Sequence, residues 1–456
     1  MFYLDITRLL DRVSSPSPTG IDRVELQYAK FMLKSGNCFA AQSGDDLTQV
    51  PTWLAEEVIS HVHMRWDEGI EGDAALTKRI AAWRKGIKPK RGKVSGVEKF
   101  FKGLRGKTLR RRLELANVER DYIAKRAKGI PPGIAVCAVA SAPRLFEYLL
   151  VPAKKPASEA RFLTPPLFHS KVYINVGHSG LEKTKLLSML SKCPGLRTII
   201  YVHDLLPISH PHLFKDGDEP RHQRRMENVK AYANEVIVNS QFTKQQFELM
   251  FGPGTVRAVL EIGTPPGQAR RPAVAQGRRD FVSIGTIEPR KNYPWLVGEW
   301  IKFCDAHPDL VGSERLTIFG KAGWLKDDEH EQLLSLIQSA PNVELLTGES
   351  DATVTGRLAG ARAYLSAAEV EGWGMPLAEA FALGTPVIAS DIPAHREVTC
   401  GRARYFNCSR PGELRALLLS CFDGNKYGDM VADARGFEAW SWDVHFAKFL
   451  KIATSE

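Results

Sequence analysis

The sequence predicts an α/β protein built from two Rossmann-like, doubly wound parallel-sheet domains. Three observations carry this. Apolar runs of strand length recur as near-continuous blocks, not clean alternations, as parallel strands buried on both faces do. Helical patterns separate most of these runs, which implies parallel strands joined by crossovers. The chain has 456 residues, too many for one ordinary core and suited to two domains of roughly 200 residues each.

In the first domain, residues 1–265, the predicted strands are FYLDIT at Phe2, AVCAVAS at Ala135, KVYINVG at Lys171, TIIYVHD at Thr198 and EVIVNS at Glu235. A long insertion, mostly helical in pattern, occupies about residues 48–131. A break follows in TPPGQARRPAVAQGRRD, Thr264 to Asp280, which is rich in Pro, Gly and Arg and poor in apolar pattern, as linkers are. The second domain, residues 280–430, carries FVSIGTI at Phe281, RLTIFG at Arg315, NVELLTG at Asn342, AYLSA at Ala363 and TPVIASD at Thr385. YPWLVGEWIKFCDAH and DDEHEQLLSLIQSA are helices between them.

Hydrophobic residues make up 44% of the chain and charged ones 25%, a balance that excludes disorder as the main state. The start, MFYLDITRLLDRVSS, has Asp5, Arg8, Asp11 and Arg12 where a signal peptide needs an apolar run. No run of about 18 apolar residues occurs, so no membrane-spanning helix is expected. The seven cysteines are scattered, without a CxxC pair, which suits a reducing cytosol and excludes a zinc module. A dinucleotide-dependent oxidoreductase needs GxGxxG after a first strand and an acid about 20 residues on, and neither domain has it.

The most informative stretch is EVEGWGMPLAEAFALGTPVIASD, Glu369 to Asp391. In an open parallel sheet, ligands bind beyond the carboxyl ends of the strands. AYLSA ends there, and Pro376 suits the first turn of the helix that follows. The helix N-terminus offers free N–H groups and a positive dipole end to a phosphate. Gly372 and Gly374 permit a close backbone approach. Glu371 before the turn and Glu379 one turn inside the helix can hold hydroxyl groups at two ends of one ligand. A sugar nucleotide has that layout; the alternative is a surface turn with a solvated carboxylate.

EGWGMPLAE, with ALGTPVIASDIPAHREV after it, SIGTIEPRKN from Ser283, IFGKAGW from Ile318 and YVHDLLP from Tyr201, resembles the retaining family 4 (group 1) glycosyltransferases of GT-B fold. The likeness extends from about Val172 to the end, and more faintly to SPTGIDRVELQYAKFML near the start. It implies two domains facing a cleft, with the donor on the second and the acceptor on the first. Arg290 and Lys291 would meet the donor diphosphate, with Gly285 in the same motif. Some relatives carry another arginine where this chain has Thr286. Glu379 would accept from the ribose hydroxyls. Glu371, with the backbone of Gly372, Trp373, Gly374 and Met375, would face the sugar, either as nucleophile or in a same-face reaction. Gly20 would approach the diphosphate from the first domain. His203 takes the place of a histidine near the transferred sugar, and His178 competes for the same cleft. Ser240 resembles a family serine and is equally an N-cap. The final helix, within residues 431–456, would cross back to the first domain, with Trp440 and Trp442 as packing residues.

The implied function is retaining transfer of a sugar from a nucleotide diphosphate, with no cofactor and no metal, in bacterial polysaccharide assembly. GTIEPRKN is common among mannosyl- and rhamnosyl-type relatives, which favours GDP-mannose. The alternative is a non-catalytic sugar-nucleotide or nucleic-acid binding protein. The net charge of +10 comes from one segment, Arg84 to Arg112, with thirteen Lys and Arg against Glu98. It reads as a contact with an anionic membrane, which would place the protein in the cytoplasm and peripherally on the membrane's inner face. Nucleic-acid binding and a solvated loop are the alternatives; no recognised nucleic-acid motif accompanies it.

Overall fold

A computed structural model describes residues 1–43, 46–84, 171–264 and 280–455. These fall in two compact units, one of residues 1–73 and 163–456, the other of residues 74–162. Of the second unit, one helix, Ala74–Arg84, is described. The expected strand at Ala135, most of the basic segment and the linker lie outside the described residues.

The larger unit holds two sheets. The first contains β1 (Phe2–Asp5), β2 (Cys38–Ser43), β3 (Asp46–Val50), β4 (Lys171–Asn175), β5 (Leu196–Val202), β6 (Glu235–Val238) and β7 (Ala258–Val259), in the order β3-β2-β1-β4-β5-β6-β7. All pairs are parallel except β2 with β3. The second contains β8 (Phe281–Ile284), β9 (Leu316–Phe319), β10 (Val343–Leu346), β11 (Ala363–Ser366), β12 (Val387–Ser390) and β13 (Arg404–Phe406), in the order β10-β9-β8-β11-β12-β13. Every pair in it is parallel. In both sheets the order reverses beside the first strand, at β1/β4 and at β8/β11. A doubly wound sheet opens its ligand crevice at such a point.

The apolar blocks explain the burial. β9, β11 and β12 are buried at every position. Around the second sheet Phe281, Trp300, Phe303, Leu365 and Ile388 form one core; Tyr173, Ile200, Val238 and Phe247 belong to the core of the first. The helix Gly20–Lys34 starts at a capping box: Thr19 Oγ1 accepts from the Asp22 N–H, and Asp22 accepts from the Thr19 N–H. The last helix, Trp442–Thr454, packs on the first domain. Phe446 stacks on Phe31 with centroids 4.1 Å apart, and the Tyr28 hydroxyl meets His445 Nε2 at 2.8 Å. Trp440 gives its indole N–H to the Val398 carbonyl, and Trp442 packs against Phe446.

Candidate active site

The loops after the switch-point strands of both sheets open into one cleft of about 630 Å³. From the first domain it is lined by Arg8, Arg12, Gly20, Arg23, His203 and Asn239, among others. The second domain contributes Gly285, the Glu288–Lys291 turn, Lys321, and the run from Glu371 to Pro376 with Glu379. Every residue singled out from the sequence as catalytic or donor-binding lines this space. His178 does not: its ring Nε2 lies 3.1 Å from the Tyr201 carbonyl, beneath the His203 ring.

The centre of the site is Glu371. Arg290 Nη1 donates to its Oε2 at 2.5 Å, and Lys291 Nζ pairs with its Oε1. Arg290 also pairs with Glu288. Burial alone would raise the Glu371 carboxyl; the two cations outweigh it and bring it down to about 2. Glu371 and Glu288 likewise raise Arg290 against the opposing effect of burial. At Glu288 burial wins and pushes the carboxyl up, despite Arg290. Both cations sit on the tight turn Pro289–Lys291, whose Arg290 carbonyl accepts from the Glu369 N–H at 2.9 Å, tying it to the loop that carries Glu371. Gly285 makes room for this: a Cβ there would come within 3.0 Å of Lys291 Cε and of the Tyr293 hydroxyl.

The two loop glycines, both in the cleft lining, also have reasons within the fold. A Cβ on Gly372 would lie 2.6 Å from the His203 carbonyl, so this glycine lets the two domains touch. Gly374 has φ of +94° and caps the helix Met375–Ala382, with Pro376 in its first turn. His395 lies under the turn, its Nδ1 hydrogen-bonded to the Ser390 carbonyl at 2.9 Å, and burial holds it down at about 4. Ser240 is an N-cap, accepting from the Thr243 N–H, and it also donates to the Gly372 carbonyl at 2.8 Å. Glu397 accepts from the N–H groups of Gln241 and Phe242, so it caps a helix of the first domain and lies outside the cleft lining.

His203 is buried, and burial lowers it to about 4. Its Nε2 lies 2.7 Å from the Val176 carbonyl. A carbonyl can only accept, so Nε2 carries the proton and Nδ1 is left as an acceptor. Besides Glu288 Oε1, which is ion-paired with Arg290, three polar atoms of the cleft lining are shut off from solvent with no hydrogen-bond partner among the described residues: Glu379 Oε1, Trp373 Nε1 and Asn239 Oδ1. Buried polar atoms are normally paired, so unpaired ones lining a cleft mark places for a polar ligand. Burial also raises the Glu379 carboxyl, opposed by nearby Arg23. Asn239 was not legible as a site residue; its place directly after the strand EVIV was the only signal.

Two Rossmann-like domains facing one cleft define a GT-B protein. Residues 268–406 match the glycosyl transferases group 1 family. It is similar to the serotype-specific mannosyltransferase WbdA of Escherichia coli, 28% identical over 246 residues, which are 49% of this chain and 29% of that protein. A second WbdA sequence is 29% identical over 245 residues, with the same shares. The chain thus spans less than a third of the length of these curated relatives. Among solved structures it resembles an S. aureus TarM mutant in complex with fondaparinux, alpha-GlcNAc-glycerol and UDP (TM-score 0.50, 15% identity, 62% of this chain and 55% of that one). It also resembles an alpha,alpha-trehalose-phosphate synthase from Burkholderia xenovorans in complex with glucose-6-phosphate (TM-score 0.50, 12% identity, 64% and 74%). At these identities the structural likeness is one of fold.

Proposed function

We propose that the protein is a retaining glycosyltransferase of polysaccharide assembly that moves a sugar, mannose from GDP-mannose by preference, to a saccharide or lipid-linked acceptor. The observation that carries the reading is the pair Glu371 and Glu379, on a loop and the helix after it, lining the cleft with Arg290 and Lys291. Glu379, with an unpartnered oxygen, takes the ribose hydroxyls. Arg290 and Lys291 meet the diphosphate, whose charge grows as the glycosidic bond breaks. Glu371 holds both cations in place and faces the sugar. A carboxylate neutralised by two cations is a weak nucleophile. This favours a same-face path, in which the leaving phosphate takes the proton of the incoming hydroxyl. His203 Nδ1 accepts from a sugar hydroxyl. No metal is needed, because protein cations and a helix end meet the phosphate charge. The mannose preference is supported by the likeness to WbdA, named a mannosyltransferase.

Nucleotide release from GDP-mannose and from UDP-sugars, measured with a saccharide acceptor and with or without chelator, tests this. Release from GDP-mannose that chelator leaves intact, with retained anomeric configuration, is expected. Release from no donor would overturn the transferase reading, and loss on chelation the metal-free one.

Contact with an anionic membrane through the Arg84–Arg112 segment is part of the proposal. Among the described residues no helix is long and apolar enough to cross a membrane. The protein should sediment with anionic vesicles at low salt and not with neutral ones. Sedimentation unchanged by replacing the cations between Lys88 and Arg112 with serine would leave that segment a solvated loop.

A further inference from the structure

We propose that Arg8 and Arg12 of the first domain and Lys321 of the second form a binding site for a phosphoryl group, separate from the Arg290–Lys291 turn. All three side chains line the cleft. Arg8 follows β1 at the switch point of the first sheet, and Lys321 follows β9 in the second, so a bound anion would bridge the domains.

Asp22, whose side chain has no exposure, organises the arginines. It accepts from Arg8 Nε at 2.5 Å and from Arg12 Nε at 3.3 Å, while their side chains keep 25% and 32% of their exposure. The carboxylate therefore lies beneath and the cations toward water. Arg8 is further fixed by Nη2 donating to Thr19 Oγ1 at 3.0 Å. A guanidinium has five N–H donors, and Asp22 engages one nitrogen of each, which leaves donors for a second anion. The Lys321 ammonium has no hydrogen bond or ion pair among the described residues, while its backbone carbonyl accepts from the Ile287 N–H. Burial lowers its ammonium, and repulsion from Arg12 and Arg8 lowers it further, opposed by Asp22 and Glu288.

The charge distribution separates this end of the cleft from the motif turn. Arg290 and Lys291 already have Glu371 and Glu288 as partners. Arg8 and Arg12 share one carboxylate, Asp22, which burial would raise but the arginines hold in its charged form below the usual range, and the Lys321 ammonium is paired with none. The surplus is about two positive charges, the charge of a phosphate dianion. Two guanidinium forks with a lysine point charge suit its tetrahedral oxygens.

The inference deepens the transferase reading and rests on it only for what carries the phosphoryl group: an anionic acceptor or the donor diphosphate. Binding of inorganic phosphate, measured by calorimetry at fixed ionic strength, tests the site without turnover. Wild type should bind phosphate, and Arg12→Gln and Lys321→Met should each weaken it by about tenfold. Lys321→Met leaves no group unpaired and should melt as wild type does. Phosphate that still binds with nucleoside diphosphate present assigns the site to an acceptor-borne group. Mutual exclusion, with nucleotide weakened about tenfold in Lys321→Met, assigns it to the donor. No phosphate binding by wild type, or equal binding by wild type and both variants, would overturn the proposal while leaving donor turnover intact as a separate question.

Discussion

Arg23 of the first domain and Asp351 of the second are joined by two parallel contacts, Nη1 to Oδ2 at 2.6 Å and Nη2 to Oδ1 at 2.7 Å. Both residues line the cleft, and Arg23 is also an electrostatic neighbour of Glu379. A ligand that touches both domains binds more tightly when the domains are already held together. Partly exposed, the pair should contribute about 1 kcal/mol. Arg23→Ala and Asp351→Ala should each weaken nucleotide binding, and the double variant by less than the sum of the two. Strict additivity in that cycle would remove the clasp from the account of binding.

Glu379 trades stability for binding. Its Oε1 is shut off from solvent without a partner, and burial raises its carboxyl. A buried group whose charged form is disfavoured costs stability at neutral pH. Glu379→Ala should therefore melt no lower than wild type, yet lose about 1–3 kcal/mol of nucleotide affinity, the usual worth of a hydrogen bond to a charged group. Calorimetric affinity equal to wild type would end the ribose assignment.

Lys291 differs, because it has a partner to leave behind. Its loss leaves Glu371 with Arg290 alone. Lys291→Ala should lower turnover at saturating donor by about a hundredfold, since the charge it meets is largest in the transition state. The effect on melting should be modest by comparison. Normal turnover in the variant would show that the diphosphate finds its charge elsewhere.

Much of the second domain was legible because its strands are uninterrupted apolar blocks and the cleft residues picked from it sit in two short motifs, Gly285–Lys291 and Glu371–Glu379. The strands that escaped, β2 (CFAAQS), β3 (DLTQV), β7 (AV) and β13 (RYF), are short or polar, and all four lie at or beside a sheet edge where burial demands less. The first domain's share of the cleft was harder. Arg8, Arg12 and Arg23 look like solvated helix cations in sequence, and only the fold brings them opposite Lys321 and Asp351. Gly372 lines the cleft as expected, and its missing side chain also makes space for the His203 carbonyl, a neighbour the sequence did not reveal. Sequence spacing states that a backbone must come close to something; which surface it meets is a tertiary fact.

Buried histidines give the protein an acid limit, His178 and His222 among them, both lowered by burial. Burial lowers His203, His395 and His445 from an ordinary 6.5 to about 4. Each is held neutral by its bonds; His445 Nδ1 lies 2.8 Å from the Glu261 carbonyl, so that nitrogen carries its proton and Nε2 is free to accept from the Tyr28 hydroxyl. Above pH 6.5 the rings are neutral in both folded and unfolded chains and contribute no pH dependence. Between pH 6.5 and about 4 the unfolded chain binds protons that the folded one refuses, so stability must fall as pH falls. At about 1.4 kcal/mol per pH unit, each ring has a limit of about 3 kcal/mol. Glu371, held at about 2, extends the loss below pH 4.5, because its ion pairs vanish on protonation. The melting temperature should therefore hold steady from pH 8 to 7 and drop progressively below 6.5. His445→Gln, which keeps a donor and an acceptor without the titration, should flatten part of that slope while costing some stability at pH 7.5. A melting temperature independent of pH between 7 and 5 would mean that the rings are protonated in the folded protein, and the neutral assignment of His203 in the cleft would fall with it.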